Sequence, residues 1–285
     1  MHASFVRATC ALYTHGVNDA ANTTTRLLVI ASVERTGSTL LCSILRQTQA
    51  AGTPLEYLNI RSGNFDSFRA AHGLPRYKWS FLPELAVRKM LRKAIPKNVQ
   101  LFSRRSWRRY LLKQAEINTT RNGYFAVKMH WNQYRTQLVD MGLDLDMWQV
   151  PVTYLRISRE DEVLQAISFM RAEQTQSWNA TMSERAEAHY DPAAIERALE
   201  HIEAENRQWD RFFAERRLSP LHITFEQLTG DHEGTIRSVM EYLGAPVDSV
   251  PLPETRRQGD SRNSAWAERF VADHPHHAPR RSVRP

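Results

Sequence analysis

The sequence reads RLLVIASVERTGSTLL from residue 26 to residue 41, and this stretch decides the fold. Its first part, residues 26–31, is almost entirely apolar, which is typical of a parallel strand buried on both faces. A polar turn that contains Gly37 comes next, and residues 39–47 then follow a helical pattern. A buried strand that leads through a short turn into a helix is the repeating unit of a parallel α/β sheet.

Three further segments have the composition of buried strands. They are residues 124–129 (YFAVKM), 152–157 (VTYLRI) and 221–225 (LHITF). Helical patterns separate them, at about residues 160–176 and at residues 191–217, where Asp191 and Pro192 are suited to open a helix. We therefore predict an α/β fold in which a parallel sheet is the middle one of three layers.

The length of 285 residues suits one large domain with insertions. Helical spacing of Arg, Trp and Leu between the first two strands indicates an inserted helical cap. The predicted parts are an N-terminal extension of uncertain order (1–25), a single domain (26–270) with the helical insertion at about 64–117, and a disordered tail (271–285). Histidines in the tail could bind a metal, but its Pro- and Arg-rich composition favours a solvated segment.

The charge of the chain favours anionic partners. The formal net charge is +7 and the isoelectric point is near 9.6, which suits a nucleotide, a nucleic acid or a membrane surface. Two cysteines, Cys10 and Cys42, are too few for a disulfide framework or a structural zinc site. Without a signal-peptide pattern or an apolar window of about 20 residues, we expect no transmembrane segment and a cytoplasmic location.

The turn after the first strand has the features of a phosphate-binding loop. Backbone N–H groups at a helix start have no partner within the helix, and the helix dipole adds positive charge there. The expected ligand contacts are Arg35, Thr36, Gly37, Ser38 and Thr39. Alternatively, Gly37 and Ser38 form only a turn and a helix cap. The turn lacks the lysine of the GxxxxGK[ST] motif, which counts against a phosphotransferase.

Five blocks of the sequence together resemble a known family. They are RTGSTLL (35–41), GTPLEYLN (52–59), KMHWNQ (128–133), SREDEVLQAISFMRAEQTQSW (158–178) and RQGDSRNSAW (257–266). In order and spacing they are similar to the Stf0 group of sulfotransferases, over about residues 27–270. The resemblance implies the P-loop-containing nucleotide-hydrolase-like fold of sulfotransferases. It also implies 3'-phosphoadenosine-5'-phosphosulfate (PAPS) as donor, adenosine 3',5'-bisphosphate (PAP) as product, and no metal.

The resemblance also implies a second anion site, for the 3'-phosphate of the donor. Arg159 and Ser168 match the positions that converge on this phosphate in sulfotransferases. By resemblance the polar loop at residues 257–266 folds over the donor, with Arg257 as a further phosphate contact; alternatively, it is only a solvated C-terminal loop. The carboxyl ends of parallel strands, where Arg159 is expected, are where open α/β sheets bind ligands. By composition alone, Arg159 would instead pair with Asp161 or Glu162 on the surface, and Ser168 would be a small packing residue.

Glu56 is the candidate general base, because it aligns with the general-base Glu of the Stf0 group. The short turn with Gly52 and Pro54 would let it fold back toward the donor. It would be an effective base if desolvation raised its pKa. Arg35 is the candidate stabiliser of charge on the leaving phosphate. Lys128 could add positive charge or hold the acceptor, or it could simply reach solvent from the end of a strand.

The expected acceptor is a carbohydrate, such as a trehalose-like disaccharide, an oligosaccharide or a glycolipid. Aromatic and amide side chains bind the apolar face and the hydroxyls of a sugar. The candidate substrate-binding residues are Lys128, Trp131, Asn132, Gln133, Arg171 and Gln174. Trp131 could equally belong to the core. The resemblance also makes a homodimer possible.

Two other classes of protein remain open. One is a non-catalytic or regulatory nucleotide-binding domain that keeps the phosphate loop, although such a domain needs no base beside the reacting group. The other is a nucleic-acid-binding protein, suggested by the arginine content and by RRSWRRY at residues 104–110. We expect this segment to form a face of the helical insertion and expect no nucleic-acid partner.

Overall fold

A four-stranded sheet lies at the centre of the computed structural model, which describes residues 23–59, 103–178, 183–253 and 261–277. The strands are β1 (Arg26–Ser32), β2 (Tyr124–His130), β3 (Val152–Ser158) and β4 (Leu221–Thr224). Their order is β2-β1-β3-β4, and every neighbouring pair is parallel. The chain therefore leaves β1 toward one side of the sheet and returns to its other side, which opens a crevice at the carboxyl end of β1.

Helices account for most of the remaining described residues. The α-helices are α1 (Ser38–Gln47), α2 (Arg104–Asn118), α3 (Trp131–Gln137), α4 (Glu162–Thr175), α5 (Pro192–Glu215), α6 (Phe225–Gly230), α7 (His232–Tyr242) and α8 (Ser261–Asp273). Asp191 begins α5 as predicted, since its Oδ1 accepts a hydrogen bond of 3.0 Å from Ala194 N and a proline follows it. Among the described helices, none is both long and apolar enough to cross a bilayer.

The sheet has a hydrophobic layer on each face. Leu27 and Val29 of β1 pack with β2 and with residues of α2, α5 and α8, whereas Leu28 and Ile30 pack with α1 and α7 on the opposite face. Each of these four side chains is fully buried. Alternate residues of one strand thus contribute to different cores. The prediction of a three-layer parallel α/β fold is confirmed.

One region differs from the sequence expectation, and a second is described only in part. Helix α8 continues to Asp273 and is followed by a 3-10 turn, Pro275–His277, so residues 271–277 do not belong to a disordered tail. The buried ring of Phe270 explains this, because it packs in the core and stacks on His274 at 4.5 Å. Of the predicted insertion at about 64–117, residues 64–102 lie outside the described residues. The described part forms α2, whose Trp107 is fully buried.

Residues 52–56 run along the free edge of β2. Leu55 forms an isolated parallel bridge with Val127, and Lys128 N donates a hydrogen bond of 3.1 Å to Leu55 O. Gly52 allows this close approach, since its φ is +75° and a Cβ there would lie 2.6 Å from the backbone N of Ala126. The pairing places Glu56 beside the carboxyl end of β2.

Candidate active site

The loop between β1 and α1 leaves a helix N-terminus open. Gly37 is the N-cap residue with φ +79°, and no side chain caps the helix there. Thr36 is fully buried and its Oγ1 donates a hydrogen bond of 2.9 Å to Val33 O, so this side chain supports the loop. The first backbone N–H groups of α1 therefore need a ligand or water. These groups lie at the crevice where the strand order reverses.

Arg35 joins this loop to α4. Its backbone is left-handed, with φ 65°, and its Nε donates a hydrogen bond of 2.8 Å to Ser168 Oγ. Its Nη1 donates to Trp178 O at 2.5 Å. The two anion sites expected from sequence thus adjoin one another, with the Arg35 side chain directed to Ser168. Arg35 and Ser168 are 133 residues apart in sequence, so their hydrogen bond is a tertiary contact that no local sequence pattern indicates.

Two more guanidinium groups lie near Arg35. Burial and the positive charges of Arg159 and Arg171 lower the pKa of Arg35 to about 10. Arg159 follows β3, and its guanidinium lies 4.7 Å from the centre of the Phe225 ring. The same ring faces the loop, because a Cβ on Gly37 would lie 2.6 Å from it. Phe225 thus separates the loop from Arg159, and positive charge accumulates around a site suited to anions.

The carboxylate near Arg159 belongs to Glu226. Its Oε1 lies 3.9 Å from Arg159 Nε, and its Oε2 accepts a hydrogen bond of 3.0 Å from Glu160 N. Asp161, one of the partners considered from sequence, caps α4 by accepting a hydrogen bond of 2.8 Å from Leu164 N. Arg159 is therefore placed by residues of α6, at the carboxyl end of β4.

Glu56 and Lys128 form an ion pair at the edge of the crevice. Glu56 Oε1 lies 2.6 Å from Lys128 Nζ, and Lys128 is almost fully buried. Lys128 Nζ also donates a hydrogen bond of 3.1 Å to Thr39 Oγ1 in the first turn of α1. Glu56 Oε2 accepts hydrogen bonds from Asn59 Nδ2 at 2.6 Å and Gln133 Nε2 at 3.0 Å. The carboxylate and the loop are thus linked through one ammonium group.

The condition named from sequence for an effective base, a pKa of Glu56 raised by desolvation, is not met. Burial favours a higher pKa, but the charges of Lys128 and His130 and the hydrogen bonds to Lys128 and Gln133 hold the pKa of Glu56 well below its ordinary value. His130 Nε2 lies 3.9 Å from Glu56 Oε1. The composition of the segment around Glu56 could not show this, because the ammonium group that lowers its pKa, that of Lys128, comes from β2. Glu56 is therefore ionised at neutral pH.

The side chains that follow β2 have different neighbours, although the three residues are consecutive: they are Trp131, Asn132 and Gln133. Trp131 is half-buried and packs edge-on against Trp209 at 5.2 Å, so it joins the aromatic core as the alternative reading held. Asn132 is exposed, and its Nδ2 lies 3.4 Å from Glu34 Oε1. Gln133 is the residue of the three that contacts Glu56.

A buried carboxylate that sequence reasoning missed holds this segment in place. Glu205 of α5 accepts a hydrogen bond of 3.0 Å from Asn132 N, at the start of α3. Burial and the charge of Glu34 raise the pKa of Glu205 to about 7. Glu34 itself has a pKa lowered to about 2: burial opposes the ionised form, but His130 and His201 outweigh it. His130 lies within the block at residues 128–133 and Glu34 directly precedes the block at residues 35–41, and these positions could have drawn attention to both residues. No sequence pattern pointed to Glu205.

The other predicted residues lie along α4 or outside the described residues. Arg171 Nη1 donates a hydrogen bond of 2.5 Å to Asn263 Oδ1 of α8, and its guanidinium lies 5.9 Å from the Trp266 ring. Gln174 Oε1 accepts a hydrogen bond of 2.9 Å from His189 N and so supports the chain before α5. Arg257 lies outside the described residues. The first turns of α8 thus take the place of part of the predicted polar loop.

A switch-point crevice, an open helix N-terminus and clustered guanidinium groups define an α/β protein built to bind an anionic ligand. The family described as Stf0 sulphotransferase matches residues 27–273 of the sequence. The chain therefore belongs to this family and is a sulfotransferase, as the resemblance of its five blocks implied.

Known relatives agree with this assignment. The trehalose 2-sulfotransferase of Mycolicibacterium smegmatis is 29% identical over 264 residues, covering 87% of this chain and 95% of the relative. The trehalose 2-sulfotransferase of Mycobacterium tuberculosis is 26% identical, covering 88% and 96%. The solved sulfotransferase from Alicyclobacillus acidocaldarius is 15% identical, covering 89% and 94% with a TM-score of 0.40. Because that superposition is loose, the fold assignment rests on the family match and on the sheet itself.

Proposed function

We propose that this sulfotransferase moves a sulfuryl group from PAPS to a hydroxyl group of a carbohydrate. The observation that carries the proposal is the link from Glu56 through Lys128 to Thr39, which joins a carboxylate to the first turn of an open helix N-terminus. A passive nucleotide-binding site has no use for an ionised carboxylate beside its phosphate loop. A group-transfer enzyme needs a proton acceptor at this place.

The described residues fit a donor that has a phosphate group at each end. One end of the donor suits the N-terminus of α1, where Gly37, Ser38 and Thr39 lie. The other end suits Arg159 and Ser168, across the side chain of Arg35. Positive charge from Arg35, Arg159 and Arg171 supports binding of a molecule with several negative charges. When bound, the donor would supply the sulfuryl group, and PAP would leave through the oxygen of its 5'-phosphate.

Glu56 would accept the proton of the acceptor hydroxyl. A carboxylate with a low pKa is ionised at neutral pH but is a weak base, so it takes the proton only as bond formation to sulfur makes the hydroxyl more acidic. Lys128 lies between this carboxylate and the loop, so its charge can stabilise negative charge that develops on either side. Arg35 and the backbone N–H groups of α1 would stabilise charge on the leaving phosphate.

The acceptor proposal combines the relatives with the polar groups around Glu56. Two relatives are trehalose 2-sulfotransferases, so trehalose is the first acceptor to test. Gln133 and Asn59 contact Glu56 and would bind a sugar hydroxyl next to it, and exposed Asn132 directly precedes Gln133. Other disaccharides, oligosaccharides and glycolipids complete the acceptor panel.

The test is transfer of sulfate by the purified full chain, measured by mass spectrometry after incubation with PAPS and each acceptor. Glu56→Gln should lower turnover by about 100-fold or more, the usual contribution of a general base, and should retain PAP binding. Glu116→Gln is a matched control, because Glu116 pairs with Lys113 at the surface and lies away from the loop.

The outcomes separate the alternatives. Sulfated sugar from the wild type and from Glu116→Gln, with little from Glu56→Gln, supports the proposal. Turnover of Glu56→Gln equal to that of the wild type would remove Glu56 from the mechanism. PAP binding without transfer to any acceptor of the panel would favour a non-catalytic nucleotide-binding domain.

A further inference from the structure

Three metal-ligating side chains meet where the C-terminal turn lies against the long helix α5. They are Glu196 in the first turns of α5 and His276 and His277 in the 3-10 turn. One ligand atom from each residue lies within 4.8 Å of the other two. These residues come from segments 80 positions apart in sequence, so their meeting depends on the fold.

Packing holds the turn in this position. Phe270 is fully buried, its ring stacks on His274 at 4.5 Å, and it lies 5.6 Å from the ring of His277. His274 N and His277 N continue the helical hydrogen bonding, at 2.8 Å to Phe270 O and 3.0 Å to His274 O. The two candidate imidazoles are therefore presented by an ordered element, and their rings lie 4.2 Å apart.

We propose that Glu196, His276 and His277 form a binding site for a divalent transition-metal ion, with Zn²⁺ as the best match. Two imidazoles and one carboxylate are a ligand set that Zn²⁺ accepts, with water in the remaining position. Imidazole ligands favour Zn²⁺, Cu²⁺ or Ni²⁺ over Mg²⁺ and Ca²⁺, which prefer oxygen ligands. None of these three residues is assigned a role in the proposed transfer step.

The ion would fasten the C-terminal segment to α5. Helix α8, which precedes the turn, contacts Arg171 through Asn263 and Trp266. A metal at the end of α8 would restrict the movement of this helix and of its contacts with Arg171. From sequence we favoured a solvated tail and expected no metal. Glu196 changes this interpretation, because it adds a third metal-ligating side chain from α5, which the sequence of the tail could not indicate.

The experiment is calorimetric titration of the metal-free full chain with ZnCl2, together with thermal unfolding with and without Zn²⁺. We expect one site in the wild type and a rise in Tm on binding. Glu196→Gln, His276→Ala and His277→Ala should each weaken Zn²⁺ binding by at least about 10-fold, since even outer-shell changes have effects of this size. MgCl2 should give no comparable binding.

His189→Ala is the matched control, because His189 is exposed and outside the cluster. It should bind Zn²⁺ as the wild type does. Glu196 and His276 are exposed, so their variants should fold, which circular dichroism would check. Absence of Zn²⁺ binding by the wild type would overturn the proposal. Zn²⁺ binding by the three cluster variants that is as tight as that of the wild type would overturn it too, because the ion would then be held elsewhere.

Discussion

Glu56 and Lys128 show how one residue pair determines the chemistry that a site can perform. Burial alone would raise the pKa of Glu56, but Lys128 and His130 reverse the effect. The pKa of Lys128 is raised as well: burial opposes this, but the charge of Glu56 outweighs it. Both groups are therefore ionised across the neutral range. An enzyme with this pair should retain its activity in mildly acidic solution.

Replacing Lys128 should expose this coupling. In Lys128→Met the burial of Glu56 is no longer opposed by an ammonium group, so its pKa should rise. Because the protonated carboxyl cannot accept a proton, kcat/KM should then fall as the pH falls. The midpoint should lie at least about one pH unit above that of the wild type. A pH–rate profile measures this shift, with Lys113→Met as the surface control.

A Lys128→Met profile with an unshifted acid midpoint would show that Lys128 does not determine the charge of Glu56. The overall rate of this variant is expected to fall at every pH, since the proposed stabilising charge is also lost. The shape of the profile is therefore the informative quantity, and the absolute rate is not.

Gly37 is the second residue whose substitution has a defined expectation. Gly37→Ala adds a Cβ at a φ of +79° and 2.6 Å from the ring of Phe225. The variant should lose about 1–3 kcal/mol of unfolding free energy, which is typical for enforced backbone strain. Displacement of Phe225 should also weaken PAP binding. Chemical denaturation and calorimetry measure the two effects.

Gly230→Ala is the matched control for this substitution. Gly230 ends α6 and has open space where a Cβ would lie. Its replacement should leave stability unchanged or slightly increase it. Equal stability of the Gly37 and Gly230 variants would show that the loop tolerates a side chain, and the argument for a close ligand approach would fail.

At the scale of elements, the start of α3 depends on a carboxylate from α5. Glu205 accepts the hydrogen bond of Asn132 N, and α3 carries Gln133 to Glu56. The pKa of Glu205 is raised from 4.5 to about 7 by burial and by Glu34. The folded protein therefore binds a proton here more tightly than the unfolded chain does, between those two pH values.

The stability contributed by this proton should be lost as the pH rises from about 4.5 to about 7. Wild-type protein should lose on the order of 2 kcal/mol of unfolding free energy over this range relative to Glu205→Gln. The glutamine oxygen can still accept from Asn132 N, so the variant should fold. Urea unfolding at several pH values gives the difference, and a difference independent of pH would contradict the assigned pKa.

The elements themselves were largely predictable from sequence. The strands begin at the predicted residues, and their ends differ by one residue, because apolar runs between turns identify buried parallel strands. Phe225 was assigned to β4 but begins α6, since Thr224 forms a capping box with Gln227. Helix α8 was missed, because its polar residues gave no helical signal and its order depends on the tertiary packing of Phe270.

The site was less predictable than the fold. The sequence predicted functional roles for Glu56, Arg35, Lys128 and Ser168, and the structure brings Glu56 to Lys128 and Arg35 to Ser168. Which atoms meet could not be read from the sequence, because each pair joins segments more than 70 residues apart. For the same reason Glu205 escaped notice.

At the scale of the whole molecule, the strand order determines where these groups can act. Reversal of direction at β1 brings the loop of Gly37, the ends of β2 and β3 and the start of α4 to one crevice. Charge alone would also allow a nucleic-acid partner, with binding that falls steeply as salt increases. In the arginine-rich helix α2, Trp107, Tyr110 and Leu111 are buried in the core, so the aromatic residues of this segment are not free to stack on bases.

The central claim is that the N-terminus of α1 and the group around Ser168 hold the two phosphates of one nucleotide. Calorimetry of the folded full chain with PAP tests it most directly. The account predicts one binding site, at least about tenfold weaker in Arg159→Gln and for adenosine 5'-phosphate, which lacks the 3'-phosphate. No heat of binding to PAP, with circular dichroism showing the folded protein, would contradict the account.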